Sequence, residues 1–80
     1  MTIQLIQGDF EHTEALDLLT QMIQVKIKYH ETKINGHLNE EDIKFREGKI
    51  KKLQDELMQV RQFLSHKDKQ IHIEAKVNMA

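Results

Sequence analysis

Four side chains that carry or can carry positive charge stand on the apolar arcs of two helical patterns. Lys26, His30 and Lys33 recur at steps of four and three residues, and Arg46 occupies a hydrophobic position of the second pattern. Arg and Lys hold phosphate or carboxylate groups, and His adds a donor that titrates near neutral pH. These residues predict either a small-anion site or an intramolecular or intersubunit ion-pair network that sets helix register, and we favour the network. The carboxylates available to such a network are Glu31, Asp42 and Glu47.

A second concentration of charge is the segment 44–52, KFREGKIKK, which holds five basic residues and one acidic residue. A basic stretch on one helix can contact the phosphates of nucleic acid. The candidate contacts are Lys44, Arg46, Lys49, Lys51 and Lys52. The net charge of the whole chain is −1, however. We therefore expect an ordinary solvated helix face here and keep nucleic-acid binding as an alternative.

Motifs for catalysis and for metal binding are missing from the sequence. It has no glycine-rich phosphate loop, no GxSxG and no HExxH, and its five His residues lack metal-ligand spacing. Cysteine is absent, which excludes disulfides, thiolate zinc sites and cysteine catalysis. The carboxylates Glu40, Glu41 and Asp42 stand at a helix start, where they stabilise the helix dipole. We expect no enzyme activity, no cofactor and no metal ion.

The hydrophobic periodicity predicts four elements in one domain, residues 1–80. Apolar residues alternate with polar ones over 2–7 and over 70–77, which predicts two strands. They recur at steps of three and four over 13–34 and over 40–66, which predicts two helices. The order strand, helix, helix, strand predicts an α+β fold with a long antiparallel helical hairpin and short antiparallel terminal strands.

Turn and cap residues mark the predicted boundaries. Gly8-Asp9 predicts a turn after the first strand, with Asp9 or Thr13 as the cap of the first helix. Asn35-Gly36 predicts a helix stop, because both residues tolerate the left-handed conformation. Asn39 precedes three acidic residues and predicts the cap of the second helix.

The second helix carries an apolar seam of three heptads. Its length is about 40 Å at 1.5 Å per residue, whereas a six-residue strand spans about 20 Å. The sheet is therefore too short to cover the hairpin, and the first helix has an apolar arc of about 200°, wider than a one-sided helix needs. We expect a homodimer that packs as a four-helix assembly. The predicted oligomer interface consists of Ile43, Ile50, Leu53, Leu57, Val60 and Leu64.

Part of the first third of the chain resembles a group of small uncharacterised bacterial proteins. The resemblance lies in Phe10, Glu14-Ala15, Leu18-Leu19 and the segment 26–30, KIKYH. In those proteins a terminal strand leads into such a helix. The resemblance implies a bacterial, cytoplasmic origin and no particular activity, and it adds weight to Lys26 and His30.

The order strand, helix, helix also resembles the ribbon–helix–helix repressors, in which paired strands enter the DNA major groove. Here the first strand has no Lys, Arg or Asn, the helices are longer, and a second strand follows. No apolar run approaches the roughly 18 residues of a membrane span. We expect a cytoplasmic structural or interaction protein with an unidentified protein partner. The alternatives are a DNA-associated regulator and a small-anion sensor.

Overall fold

The computed structural model describes residues 1–36, 39–65 and 70–80. Its elements, in chain order, are β1 (Thr2–Phe10), α1 (His12–Ile34), α2 (Glu40–Ser65) and β2 (Ile71–Asn78). The predicted α+β class, the element order and the helical hairpin are confirmed. The predicted end of the second helix at His66 lies outside the described residues, as does the polar break over 66–69.

The first strand is longer than the sequence pattern predicts. The turn expected at Gly8-Asp9 is wrong, because these residues continue β1 and pair with β2. Gly8 lies opposite Ile73, and Asp9 lies opposite His72. Since β2 is long enough to supply pairing groups as far as Ile71, ladder hydrogen bonds override the local turn preference. The strand therefore ends at Phe10, directly before the helix.

The two strands form an antiparallel sheet, as predicted. Ile3 pairs with Val77, Ile6 with Ala75, and the register shifts by one residue between Gln4 and Ile6. Residues of β2 alternate between half-buried and exposed along its whole length. Within the described ranges neither strand has a second neighbour, so both edges of the sheet are unpaired. A sheet of two strands is marginally stable without further cover.

Helix α1 starts and ends differently from the sequence prediction. Its N-cap is Glu11 in an extended conformation and without a side-chain cap bond, so the expected cap at Asp9 or Thr13 is wrong. The stop at Asn35-Gly36 is in the predicted place, but Asn35 is right-handed (φ −72°, ψ −5°). The amide of Gly36 bonds the Lys33 carbonyl at 3.2 Å. A tightened last turn therefore supplies a hydrogen bond to a terminal carbonyl group of α1, a role that a left-handed residue often plays at a helix end.

Helix α2 starts with the predicted cap. The side-chain oxygen Oδ1 of Asn39 accepts a hydrogen bond from the Asp42 amide at 2.9 Å. This bond satisfies one of the amides that a helix start leaves without a backbone partner. The cap, together with the acidic first turn, confirms the predicted start at Glu40.

The core of the described chain is small. Its buried apolar residues are Ala15, Leu53, Leu57 and Leu64. The molecule measures 46 × 33 × 13 Å, and its radius of gyration is 15.2 Å, against about 12 Å for a compact domain of this length. Helix α1 approaches both strands, whereas no described Cα of α2 lies within 8 Å of a strand Cα. The elements therefore form a thin slab with little interior.

We expect Leu57→Ala to lower the free energy of unfolding by about 2 kcal/mol or more, because it opens a cavity in this small core. Leu57 is buried in the hairpin, whereas its neighbour Met58 is 59% exposed. Met58→Ala is the matched control and should change the free energy by no more than about 0.5 kcal/mol. Urea denaturation followed by circular dichroism measures both values. Equal losses in the two variants would contradict the placement of the core.

Candidate functional site

The two helices leave a small cleft about midway along the hairpin. Its volume is about 120 Å³. We call it the cationic cleft, because basic side chains dominate its lining. The lining residues are Lys26 and His30 from α1, and Lys49, Lys52, Leu53 and Glu56 from α2.

Helical spacing on both elements builds the cleft. Lys26 and His30 are four residues apart, which stacks them on one face of α1. Lys49, Lys52 and Glu56 follow each other at steps of three and four on α2 and stack in the same way. The antiparallel hairpin then brings the two rows together across the buried seam at Leu53.

An unusual hydrogen bond joins the helices beside this cleft. The guanidinium Nη1 of Arg46 lies 3.0 Å from Nδ1 of His30. Because Arg can only donate, Nδ1 must accept, and the proton of a neutral ring then resides on Nε2. Partial burial lowers the pKa of His30 below its ordinary value of 6.5, and the charges of Arg46, Lys49 and Lys26 lower it further. The ring is therefore a neutral donor at neutral pH.

Tyr29 holds two cations next to His30. Its ring meets the imidazole edge-on, with centroids 5.3 Å apart. The Arg46 guanidinium lies 5.5 Å from the Tyr29 centroid. The Lys33 ammonium lies 5.6 Å from the same centroid. These are cation–π distances, and they place Lys33 against the aromatic ring and outside the cleft lining.

The basic groups of the cleft lack a direct ion-pair partner within residues 1–36, 39–65 and 70–80. Among the described residues, no carboxylate oxygen lies within 4.0 Å of a charged nitrogen of Lys26, Arg46, Lys49 or Lys52. The expected partners Glu31, Asp42 and Glu47 make no such pair either. Glu56 contributes one carboxylate to the lining. Within its described residues the single chain therefore forms no intramolecular ion-pair network here, and ammonium groups from both helices share a small space with the Glu56 carboxylate.

The structure divides the basic segment of α2 into two sides. Lys49 and Lys52 line the cationic cleft. Lys44 pairs with Glu40 at 3.9 Å, and at 100° per residue it lies about 140° around the helix from Lys49. Lys51 lies about 160° from Lys49. No single face of α2 therefore carries all five candidate nucleic-acid contacts.

Part of this site was predicted from the sequence. Sequence reasoning brought together Lys26, His30 and Arg46, which the structure also brings together. It assigned Lys49 and Lys52 to a possible nucleic-acid contact and did not place Glu56 in the site. The available signal was their spacing beside Leu53 on the flank of the apolar seam. Reading that signal required knowing which flank faces α1.

Comparison with known proteins identifies no relative. The chain matches no family model, no curated protein and no solved structure. The resemblance to small bacterial proteins therefore stays a prediction. Neither helix has an apolar stretch of the length that a bilayer crossing requires, in the part of the chain that the structure describes. The functional argument rests on the geometry of the chain itself.

A second polar cluster lies on the outer face of the sheet, and sequence reasoning missed it. The ring of His72 bonds Asp9 through Nδ1 at 2.8 Å and Glu74 through Nε2 at 3.0 Å. Strand alternation puts His72 and Glu74 on one face, and the register brings Asp9 opposite. Hydrogen bonds to Glu74 and Asp9 raise the pKa of His72 above its ordinary value of 6.5. The ring thus links the two strands through Asp9, and its protonated form is the one that both carboxylates favour.

We expect the strand pairing to be more stable in mild acid than in mild base. A folded-state pKa of His72 above 6.5 means that this stability is fully present below the unfolded pKa. It is lost as pH rises through the folded pKa. NMR titration of the His72 ring should give a midpoint above 6.5. Asp9→Asn combined with Glu74→Gln should return it towards 6.5.

A denaturation series at about pH 5 and about pH 8.5 completes this test. The variant His72→Gln removes the His72 contribution and isolates it from His30, whose lowered pKa has the opposite pH dependence. The stability difference between the wild type and His72→Gln should shrink as pH rises. A midpoint at or below 6.5 would contradict the bridge.

Proposed function

We propose that this chain is a non-catalytic interaction protein that works as a homodimer in the cytoplasm. The observation that carries the proposal is the large surface that one copy leaves open. The described residues expose 6506 Å², against about 5,000 Å² for a compact monomer of this mass. The cytoplasmic part of the proposal rests on the sequence resemblance alone.

The surface that this chain exposes beyond that of a compact monomer is of the size that a second copy would cover. It is about 1,500 Å² per chain, and obligate homodimers bury roughly 1,000–2,500 Å² on each partner. The chain's net charge of −1 offers little electrostatic repulsion between identical copies. A twofold dimer also pairs each surface with itself, so one sequence can cover its own open face.

One surface that supports self-association is a stripe along α1. Leu18 and Met22 are half-buried there, whereas Val25 is 70% exposed and Tyr29 is 53% exposed. The stripe lies about 130° around the helix from the side that packs on α2. Burial decreases from the fully buried Ala15 through Leu18 and Met22 to Val25, the most exposed residue of the stripe. We place the centre of the dimer contact at Val25.

A second surface is an open groove of about 720 Å³ between α2 and β2. It lies beside the strand β2, which has an unpaired edge in the described chain. Its apolar lining residues are Leu19, Val60, Phe63, Leu64, Ile71 and Ile73. Covering this groove would extend the small core towards the sheet, where a two-stranded sheet needs support.

The α2 seam contributes less to this contact than its sequence pattern suggests. Leu53, Leu57 and Leu64 are already buried within one chain. Ile43, Ile50 and Val60 are half-buried, so they retain some surface that a partner can contact. In this proposal the seam mainly holds the hairpin together, and the dimer contact is made by the α1 stripe and by the groove, to which the seam contributes Val60 and Leu64.

Sedimentation of a concentration series tests this proposal. We expect the wild-type chain to be a dimer and Val25→Asp to shift it to monomer, because a charge would be buried at the contact. Met58→Asp is the matched control, since Met58 is also exposed but lies among polar residues of α2. It should leave the dimer intact. A wild-type chain that stays monomeric at all concentrations would overturn the homodimer.

A further inference from the structure

We propose that the cationic cleft binds a small anion that carries one phosphate group, with Lys26, Lys49 and Lys52 as its charge partners. This site goes beyond the interaction function and does not depend on it. The ligand is inorganic phosphate or the phosphate of a small phosphomonoester, which share this chemistry.

The first support is the balance of charge around the cleft. Two helices bring three ammonium groups to one small space, and none of them has a carboxylate within 4.0 Å in the described part of the chain. Like charges held near each other repel, and a dianion between them converts that repulsion into attraction. Lys is a common phosphate partner because its ammonium acts as a compact point charge.

The second support is the size of the space. A volume of about 120 Å³ corresponds to roughly four water molecules at their share of the liquid. One phosphate group fits such a space. The cleft therefore suits a single anionic group whose remainder, if any, projects into solvent.

The third support is the state of His30. Arg46 occupies its Nδ1 at 3.0 Å, so the neutral ring offers Nε2–H as a donor. The charged and titratable groups around His30 are Lys26 and Tyr29 on α1, and Arg46, Lys49, Lys52 and Glu56 on α2. Most of them are cationic and oppose protonation of the ring. A bound dianion would offset these cations, so binding should raise the pKa of His30.

The charge of Glu56 provides a further test of the proposed anion site. Its carboxylate also lines the cleft and would repel an anion bound there. Removing this charge should therefore strengthen phosphate binding. The alternative is that Glu56 pairs with the lysines through water and that the cleft binds no anion. In that case the Glu56→Gln variant would show no phosphate binding.

The experiment titrates inorganic phosphate, and separately glycerol phosphate, into the full chain at constant ionic strength. NMR signals of the His30 ring report on the site. We expect saturable shifts with both probes and a rise in the His30 pKa. Lys49→Gln should weaken binding about tenfold, as for a lost charge-assisted contact, and Glu56→Gln should tighten it.

Lys51→Gln is the matched control, because it removes the same charge from the opposite side of α2. Its affinity for phosphate should stay within about twofold of the wild type. Absence of a saturable shift at His30 would overturn the proposal. Equal weakening by Lys49→Gln and Lys51→Gln would also overturn it, since that result indicates general electrostatic attraction.

A duplex oligonucleotide forms the last arm of the experiment. If the cleft is a small-anion site, the duplex should not displace bound glycerol phosphate. The NMR signals of the His30 ring report this competition. Tight, salt-dependent duplex binding that depends on Lys44 and Lys51 as well as Lys49 would assign the basic residues to nucleic acid. That outcome would replace the small-anion proposal.

Discussion

The scarcity of cover for apolar surface constrains everything else in this molecule. Two helices of 23 and 26 residues stand beside a sheet of only two strands. In the described chain this sheet approaches α1 but not α2, and the slab is only 13 Å thick. As a result, four apolar residues are buried in the part of the chain that the structure describes. Hydrophobic stabilisation scales with the area removed from water, so one copy of the chain recovers only part of what its composition offers.

The scarcity of cover for apolar surface also explains why a polar residue is part of the helix–helix packing. Arg46 occupies a seam position that an aliphatic side chain would ordinarily fill, and it is only half-buried. Its guanidinium meets the imidazole of His30 and the ring of Tyr29, so one of its donors and its positive charge each find a partner. A thin core tolerates this arrangement because the group stays close to water and avoids a full desolvation cost. The cationic cleft beside it follows from that tolerance.

Local sequence signals predicted the structure correctly where no segment distant in the chain pairs with the same residues. The cap at Asn39 is decided within three residues, and the helical hairpin follows from periodicity alone. They failed at Gly8-Asp9, where a local turn preference competed with pairing to β2: His72, the residue opposite Asp9, is 63 positions away in sequence. They also failed to find the bridge between Asp9, His72 and Glu74. That bridge exists only in one register of the sheet, and a shift by one residue would separate its members.

The amino-acid sequence determined the element order, the hairpin and the identity of the buried seam, because those features follow from periods of two and 3.6 residues along the chain. Tertiary structure alone decided which flank of α2 faces α1. Only that choice assembles Lys49, Lys52 and Glu56 with Lys26 and His30. It also decided which apolar rows one copy covers and which it leaves open. The physical reason is the same in both cases: rotation of a helix about its axis is set by the summed packing of its neighbours, and no local residue pattern encodes it.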